Sequence, residues 1–301
     1  MVRIATIPLQ RTLFDAIGRS QLRLAEAQQQ MASGKKANTL SALGSEAVRT
    51  LSARSLLARQ EAEGTVARNL KSTLALVDSH LTSTEASLGS LHSQMLKGIG
   101  EGRTDGLQGL IEEAFQTLRV AMNADEGGRP LFAGAQTGQP FGPATLADTV
   151  GLATSAAFTN DNVQATARVA DGLDVTVGIT ASDVGGDIFE AFRTLAEAGN
   201  FGTVPTAAQA AALKTAAATL DGGIKQLRAQ SAENGRRQAQ VETLAERASE
   251  RSTILHELIS KNEDADLGEV ASELTLRQTA LQASYSVFAK LSGLSLVNYL
   301  R

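Results

Sequence analysis

The chain of 301 residues contains no cysteine and no tryptophan. The absence of cysteine excludes disulfide bonds, thiol catalysis and cysteine-ligated metal sites. Aromatic residues make up 4% of the chain, whereas hydrophobic residues as a whole make up 43%. A core with so few aromatic rings must rely on leucine, alanine, valine and isoleucine, and this composition suits packed helices better than β-sandwiches.

Long apolar runs and excess positive charge are also missing. No window of about 18 apolar residues exists, so we expect no membrane span. The net charge of −4 and the pI near 5.5 argue against nucleic acid as the main partner. The first residues, MVRIATIPLQRTLFDAIG, lack the unbroken apolar segment of a secretory signal. If the protein is exported, we therefore expect a route that removes no signal peptide.

Apolar residues recur at helical spacing over most of the chain. One series alternates steps of four and three from Leu70 to Met95, with Thr84 as its only polar member. It predicts a long helix that begins near residue 44 and ends at the glycines of 98–102. Further helices are predicted at 8–32 with Pro8 at the start, at 107–122, at 187–199, from about 206 to 259, and at 265–297.

Residues 127–202 have a different texture, rich in glycine, proline and β-branched residues. Two alternating runs, 163–169 and 173–179, flank Asp171-Gly172 and predict a β-hairpin. The expected fold class is therefore mainly α with a small β-containing insert. In this fold the N- and C-terminal arms form a long antiparallel helical bundle or coiled coil.

Both ends of the chain carry an apolar stripe that needs a partner. From Gln278 to Leu300 the only charged side chain is Lys290. The simplest partner for the C-terminal stripe is the N-terminal stripe in an antiparallel pair, whose Ala-, Ser- and Gln-rich sides suit packing against further copies. The predicted assembly interface consists of Leu13, Ile17, Leu24, Met31, Leu267, Leu274, Leu281, Phe288 and Leu291.

Catalytic and metal-binding patterns are weak. The histidines His80, His92 and His256 are isolated on predicted helices, without a zinc-protease spacing. Glycine-rich stretches do not join a strand to a helix with phosphate-loop spacing. We therefore predict a protein that is not an enzyme and has no cofactor.

One acidic segment, NEDADLGEVASE at 262–273, partly matches a calcium loop. Asn262, Asp264, Asp266 and Glu273 occupy positions 1, 3, 5 and 12, but Leu267 stands where the loop requires glycine. Acidic residues at the start of a helix explain the run better, because they lie near unpaired backbone N–H groups. We predict no metal site here.

Three polar residues, Ser231, Asn234 and Gln238, interrupt the apolar seam of the predicted helix that starts near residue 206. Polar seam residues cost stability and usually fix register or partner. A second hypothesis is that they let the long helices slide between states.

The two ends of the sequence resemble those of bacterial flagellins. QQQMASGKKANTLSALGSEA, 28–47, followed by a long heptad helix, resembles the N-terminal region of that family. NEDADLGEVASELTLRQTALQASYSVFAKLSGLSLVNYL, 262–300, resembles the matching C-terminal region. RPLFAGAQTGQPF, 129–141, is similar to the hairpin of one branch, the hook–filament junction proteins (hook-associated protein 3). The resemblance covers residues 1–125 and 205–301.

This resemblance implies a flagellin-like division of the chain. Segments 1–43 and 262–301 would be terminal helices that line an inner tube and are disordered in the free monomer. A helical shaft would comprise 44–126 and 203–261, and a small mixed β-hairpin module would occupy 127–202. The implied function is a structural axial component of the bacterial flagellum, an adaptor at the junction between hook and filament.

The implied partners are further copies of the chain in a ring or helical assembly, another hook-associated protein, flagellin and a flagellar export chaperone. The implied location is the extracellular flagellum, reached through the flagellar type III channel. Three alternatives remain open at this point. The first is a filament flagellin, and the second is a cytoplasmic coiled-coil signalling or scaffold protein. The third, which has less support, is a secreted binding protein that uses the 127–202 module.

Overall fold

A computed structural model describes the backbone of residues 3–297 and the side chains of residues 11–290. The expected fold class is confirmed, since helices dominate and four short strands lie between them. The helices are α1 (Arg3–Ser33), α2 (Glu46–Glu101), α3 (Leu107–Met122), α4 (Thr154–Ala157), α5 (Ala181–Glu197), α6 (Ala207–Glu263) and α7 (Leu267–Val297). The strands are β1 (Asp125–Glu126), β2 (Arg129–Pro130), β3 (Thr166–Ala170) and β4 (Leu173–Thr176).

The chain divides into two compact units. The first unit comprises residues 1–59 and 251–301, and the second comprises residues 60–250. The first therefore contains α1 and α7 with the start of α2 and the end of α6. The finer division into terminal helices, shaft and module stays a prediction.

In the second unit, α2 and α6 run antiparallel and bury the predicted apolar seam. Thr84, the polar member of the seam, is also buried, and its Oγ1 donates to the His80 carbonyl at 2.7 Å. This bond satisfies the hydroxyl without a partner from another helix. Seam residues with at most 2% of their surface exposed are Leu74, Val77, Leu81, Leu88, Leu91 and Met95 of α2 and Leu213, Leu220, Leu227 and Val241 of α6.

The predicted end of the long helix at residues 98–102 is confirmed. Gly102 has φ +65°, a left-handed conformation that glycine adopts without strain. The N–H of Arg103 donates to the Gly98 carbonyl at 3.2 Å, as in a Schellman motif. A Cβ on Gly98 would lie 2.9 Å from the Arg103 carbonyl oxygen, so this return of the chain needs glycine there too.

Two helix starts differ from the sequence expectation. Helix α1 begins at Arg3, so Pro8 lies inside it. The proline ring fixes φ at a helical value, which is compatible with the helix, but Pro8 has no N–H and so cannot donate to the carbonyl four residues earlier. Helix α5 begins at Ala181 rather than at 187, because Thr180 caps it and accepts a hydrogen bond from the Asp183 N–H at 3.4 Å.

The predicted hairpin around Asp171-Gly172 is confirmed. Strands β3 and β4 pair antiparallel across this two-residue turn, and Gly172 has φ +71°. The strands are shorter than the alternating runs, with a shift of register between Arg168 and Ala170. Val169 and Val175 are buried and form a cluster with apolar residues of α2 and α6.

The few aromatic residues are concentrated in one core. Seven of the nine phenylalanines are buried in the second unit, the most exposed of them at 8%. Phe115 of α3 packs edge-to-face on Phe192 of α5, with ring centroids 5.5 Å apart. Phe141 and Phe158, from the connection before β3, pack on each other at 5.3 Å and both on Phe189 of α5. These rings join the 127–202 segment to the core of the helices.

Candidate assembly surface

Helices α1 and α7 of the first unit pair antiparallel, as the two apolar stripes predict. The rings of Phe14 and Phe288 meet edge-to-face with centroids 4.9 Å apart. Further along, Gln21 Nε2 donates to the Tyr285 hydroxyl at 2.5 Å. Residue numbers increase along α1 while those of the contacting residues decrease along α7, so the two helices run in opposite directions.

The pair buries only part of the predicted interface. Ile17 is buried, with 7% of its surface exposed, whereas Met31 and Leu267 are 37% and 49% exposed. The half-buried members are Leu13, Leu24, Leu274, Leu281 and Phe288. The side chain of Leu291 lies outside the described residues. The structure therefore brings most of these residues to one helix pair, and their role in assembly stays a prediction.

Several exposed apolar residues of this pair were missed by the heptad interpretation, which counts only seam positions. Phe14, Leu22, Leu276, Tyr285 and Val287 are between 44% and 71% exposed. For Tyr285 and Val287 the sequence does give a signal, the near absence of charge after Gln278, because a helix that is apolar all round is normally buried. Phe14 and Tyr285 stay this exposed although each also contacts the partner helix, through Phe288 and Gln21 respectively.

The ends of α2 and α6 in the first unit add to this apolar surface. Val48, Leu51 and Leu56 of α2 are 75%, 59% and 46% exposed. Ile254 of α6 is 65% exposed. Single apolar residues on a surface need no explanation, whereas larger contiguous patches mark interaction surfaces. That these residues belong to such a surface stays a prediction.

The acidic run before α7 caps a helix, as expected. Asp266 Oδ1 accepts hydrogen bonds from the N–H groups of Gly268 at 2.8 Å and Glu269 at 3.2 Å. These N–H groups belong to the first turn of α7 and have no partner within the helix. Asp266 therefore fixes the point at which the terminal helix begins.

The other residues of the partial calcium pattern bond to separate protein groups. Asn262 Nδ2 donates to Thr50 Oγ1 at 3.2 Å. Asp264 Oδ1 accepts from Lys35 Nζ at 2.6 Å, and Glu273 forms an ion pair with an arginine one turn later in α7. Within the described residues, no group of three carboxylate or histidine side chains has an arrangement that would hold a metal ion.

Hydrogen bonding shifts two pKa values at this junction. The bond from Lys35 is the largest cause that holds the pKa of Asp264 below its ordinary value, and the bond from Ser260 adds to it. The same bond to Asp264 raises the pKa of Lys35. Both groups therefore stay charged across the neutral range.

In the part of the chain that the structure describes, none of the helices has the length and apolarity needed to cross a membrane.

Comparison with known proteins gives matches to flagellar proteins. Residues 217–300, most of α6 and all of α7, match the family model of the bacterial flagellin C-terminal helical region. A protein of Vibrio parahaemolyticus assigned as a flagellar hook-associated protein has a similar structure, with a TM-score of 0.54 at 20% identity over 71% of this chain and 97% of that one. FlgL of Bacillus cereus is similar with a TM-score of 0.56 at 17% identity, over 69% of this chain and 99% of that one. A search of curated protein sequences gave no significant match.

These matches show that the fold is shared with flagellar hook-associated proteins. They also show that the C-terminal part of the chain, which includes the second helix of the terminal pair, is flagellin-like.

Proposed function

We propose that this chain is a structural axial component of the bacterial flagellum, of the hook-associated protein 3 type, that serves as the adaptor between hook and filament. It has no catalytic role in this proposal. The chain assembles with further copies of itself through α1 and α7. The partners at either side of the layer are another hook-associated protein and flagellin.

The observation that carries the proposal is the apolar surface of the terminal pair. Leu22 and Leu276 are 67% and 71% exposed, on helices that are joined to each other by Phe14 and Phe288. Full burial of a leucine side chain contributes about 1.5–3 kcal/mol of stabilising free energy. A monomer that keeps these side chains in water forgoes that stabilisation. Unlike patches that repeat along a helical assembly bury such surfaces without closing on themselves.

The fold and the family match support the same proposal. The matched region, residues 217–300, includes all of α7 and so contains half of the proposed interface. The shared fold with hook-associated proteins favours the adaptor over a filament flagellin.

The location of the chain on flagella tests the adaptor role. Immunogold electron microscopy with antibodies against the 127–202 segment, on flagella of the source bacterium, should label one short zone between hook and filament. Label along the whole filament would identify a filament flagellin instead. Label confined to the cytoplasm, with flagella bare, would contradict both and favour the coiled-coil scaffold.

Hydrogen exchange of the purified monomer tests the assembly mechanism. We expect fast exchange in 1–27 and 274–301 and protection in 70–95 and 240–259, because the ordering of these parts of the terminal helices then waits for assembly. Strong protection of both ends would mean that the monomer keeps its own stripe buried, and the coiled-coil alternative would be favoured.

Export belongs to the same proposal. We infer that an export chaperone binds the chain and that it leaves the cell through the flagellar type III channel without losing a signal peptide. Mass spectrometry of the extracellular protein should find the residues that begin MVRIATIP. An extracellular form cut within the first 30 residues would contradict this route.

A further inference from the structure

Two connecting segments of the first unit pair with each other. Residues 34–36 follow α1, and residues 263–265 comprise the last residue of α6 and the first two residues of its connection to α7. Lys35 and Asp264 form an antiparallel β-bridge, in which the Lys36 N–H donates to the Glu263 carbonyl at 2.7 Å. The Ala265 N–H donates to the Gly34 carbonyl at 2.9 Å. We call these two paired segments the clasp.

Side chains reinforce the clasp. Lys35 Nζ lies 2.6 Å from Asp264 Oδ1 and 3.6 Å from Glu263 Oε2. Lys36 Nζ donates to the carbonyl of Lys261, in the last turn of α6. Gln30 Nε2, in the last turn of α1, donates to the Lys36 carbonyl at 2.9 Å. The clasp thus ties the last turns of α1 and α6 to each other.

The clasp is also fixed to the start of α2. Glu263 is only 5% exposed, and its Oε2 accepts a hydrogen bond from Arg54 Nη2 at 2.7 Å. The neighbouring Asn262 is 6% exposed and bonds to the buried Thr50. A buried carboxylate with a cationic partner is costly to release, because either group alone would be left unpaired.

The terminal helices themselves specify their alignment weakly. The stripe of α7 repeats every seven residues at Leu267, Leu274, Leu281 and Phe288. A shift of α1 by one heptad would still place several apolar residues opposite this stripe, because a heptad repeat by itself leaves register loosely defined and a polar residue often fixes it. One polar side-chain contact between α1 and α7 is that of Gln21 with Tyr285, about half-way along the described part of α1.

We propose that the clasp is a register-setting device: it stays closed in the isolated chain and fixes the point from which α1 and α7 pair outward. The alignment of the two helices then follows from the clasp and from the Asp266 cap at the start of α7. This inference concerns the chain by itself, so its test needs no assembly and is independent of the proposed function.

Residue-resolved hydrogen exchange on the full chain, read by NMR, tests the proposal. The amides of Lys36 and Ala265 should be protected in the wild type. Protection should then decline in parallel from residue 33 towards residue 11 and from residue 267 towards residue 290. This gradient is expected whether the distant ends are folded or open.

Substitution of Lys36 by proline breaks the clasp at its backbone. Lys36→Pro removes the donor to Glu263, and the extended Lys35 before it suits a proline neighbour. Exchange in 28–33 and 267–273 should rise by about 2–10-fold in both segments together. Asn38→Pro, two residues further along the same connection, is the control and should leave both segments unchanged.

A charge swap gives a second and milder test. Lys35→Asp places a carboxylate opposite Asp264 and should raise exchange in 28–33 and 267–273 by up to about fivefold. Adding Asp264→Lys restores an opposite pair and should reverse most of that rise. Exchange in residues 74–95 serves as the folding control and should not change in any variant.

Three results would overturn the proposal. They are free exchange of the Lys36 and Ala265 amides in the wild type, a response confined to one of the two helices, and no rescue by the double swap in chains whose residues 74–95 remain protected.

Discussion

At the scale of single residues, the polar members of the α6 seam find partners that no sequence pattern identifies. Asn234 and Gln238 both donate to one backbone carbonyl of α2, that of Leu74, at 2.9 and 3.1 Å. Ser231 donates to Asp78 Oδ1 at 3.3 Å. The heptad phase predicts that these three side chains lie in the seam. It does not predict their acceptor, because every residue has a backbone carbonyl and the sequence does not single one out. These contacts favour fixed register, and the sliding hypothesis stays a prediction that requires all three bonds to break.

The first prediction concerns Glu233, beside this polar group. Two hydrogen bonds from Arg236, at 2.6 and 2.8 Å, lower its pKa to about 2, and a weaker bond from Arg237 contributes less. Arg236→Gln should raise the pKa of Glu233 towards its ordinary value of 4.5. A carboxyl-detected NMR titration between pH 2 and 6 measures the change.

The sign of the accompanying stability effect follows from linkage. Because folding lowers the pKa of Glu233, the stabilisation is present above the pKa of the unfolded chain and is lost as pH falls towards 2. Arg237→Gln is the matched control and should raise the pKa less. An equal or larger rise in that control would show that Arg236 is not the main partner.

At the scale of elements, helix periodicity predicts the long helices well, whereas close helix–helix contacts are hidden from it. Gly222 and Gly223 are adjacent in α6 and look alike in the sequence. A Cβ on Gly223 would lie 2.6 Å from Cγ1 and 3.1 Å from the backbone nitrogen of Ile188 in α5, while the nearest atom to one on Gly222 is 3.7 Å away. Only the fold reveals that one of the two is needed for the approach of α5 to α6.

The second prediction follows from this asymmetry. Gly223→Ala should lower the free energy of unfolding by about 1–3 kcal/mol, because the added methyl group overpacks the contact with Ile188. Gly222→Ala should instead raise it by about 1 kcal/mol, because alanine favours a helix over glycine and here has room. Urea unfolding of both variants measures the difference. Equal effects would mean that α5 and α6 are further apart than the structure has them.

The third prediction separates the two faces of α7. Leu274 is half-buried in the pair with α1, whereas Leu276 is 71% exposed. Leu274→Asp should weaken the pairing of α1 with α7 and, with it, assembly. Leu276→Asp should leave the pairing unchanged in the isolated chain and still reduce assembly, because it places a charge on the surface that copies bury in the proposed assembly.

Two measurements distinguish these faces. Circular dichroism measures the helix content of the monomer, which falls when α1 and α7 no longer pair in chains that form these helices. Sedimentation velocity measures assembly. Gln278→Asp, an exposed polar position of the same helix, controls for added charge. Assembly of Leu276→Asp at the wild-type level would remove this face from the interface.

At the scale of the whole molecule, sequence reasoning predicts the fold class and the pairing of the ends, because both depend on local periodicity. It does not predict that the 127–202 segment shares a core with the long helices. Phe115, Phe141, Phe158 and Phe189 meet from positions far apart in the chain. Isolated phenylalanines give no local signal of such a meeting. Low aromatic content therefore predicts an aliphatic core throughout, whereas the structure concentrates the rings in one core.

The last prediction follows from where that core lies. The buried clusters of the second unit contain no residue of α1 or α7. A chain cut to residues 46–263 should therefore keep the cooperative unfolding of this core and remain monomeric, while the full chain assembles. Phenylalanine side-chain NMR signals report the core, and sedimentation velocity reports assembly. A truncated chain that loses its dispersed phenylalanine signals would show that the terminal helices stabilise the core. A truncated chain that still assembles would place the interface outside α1 and α7. The exposed Val48 and Leu51 of α2 would then be the first candidates for it.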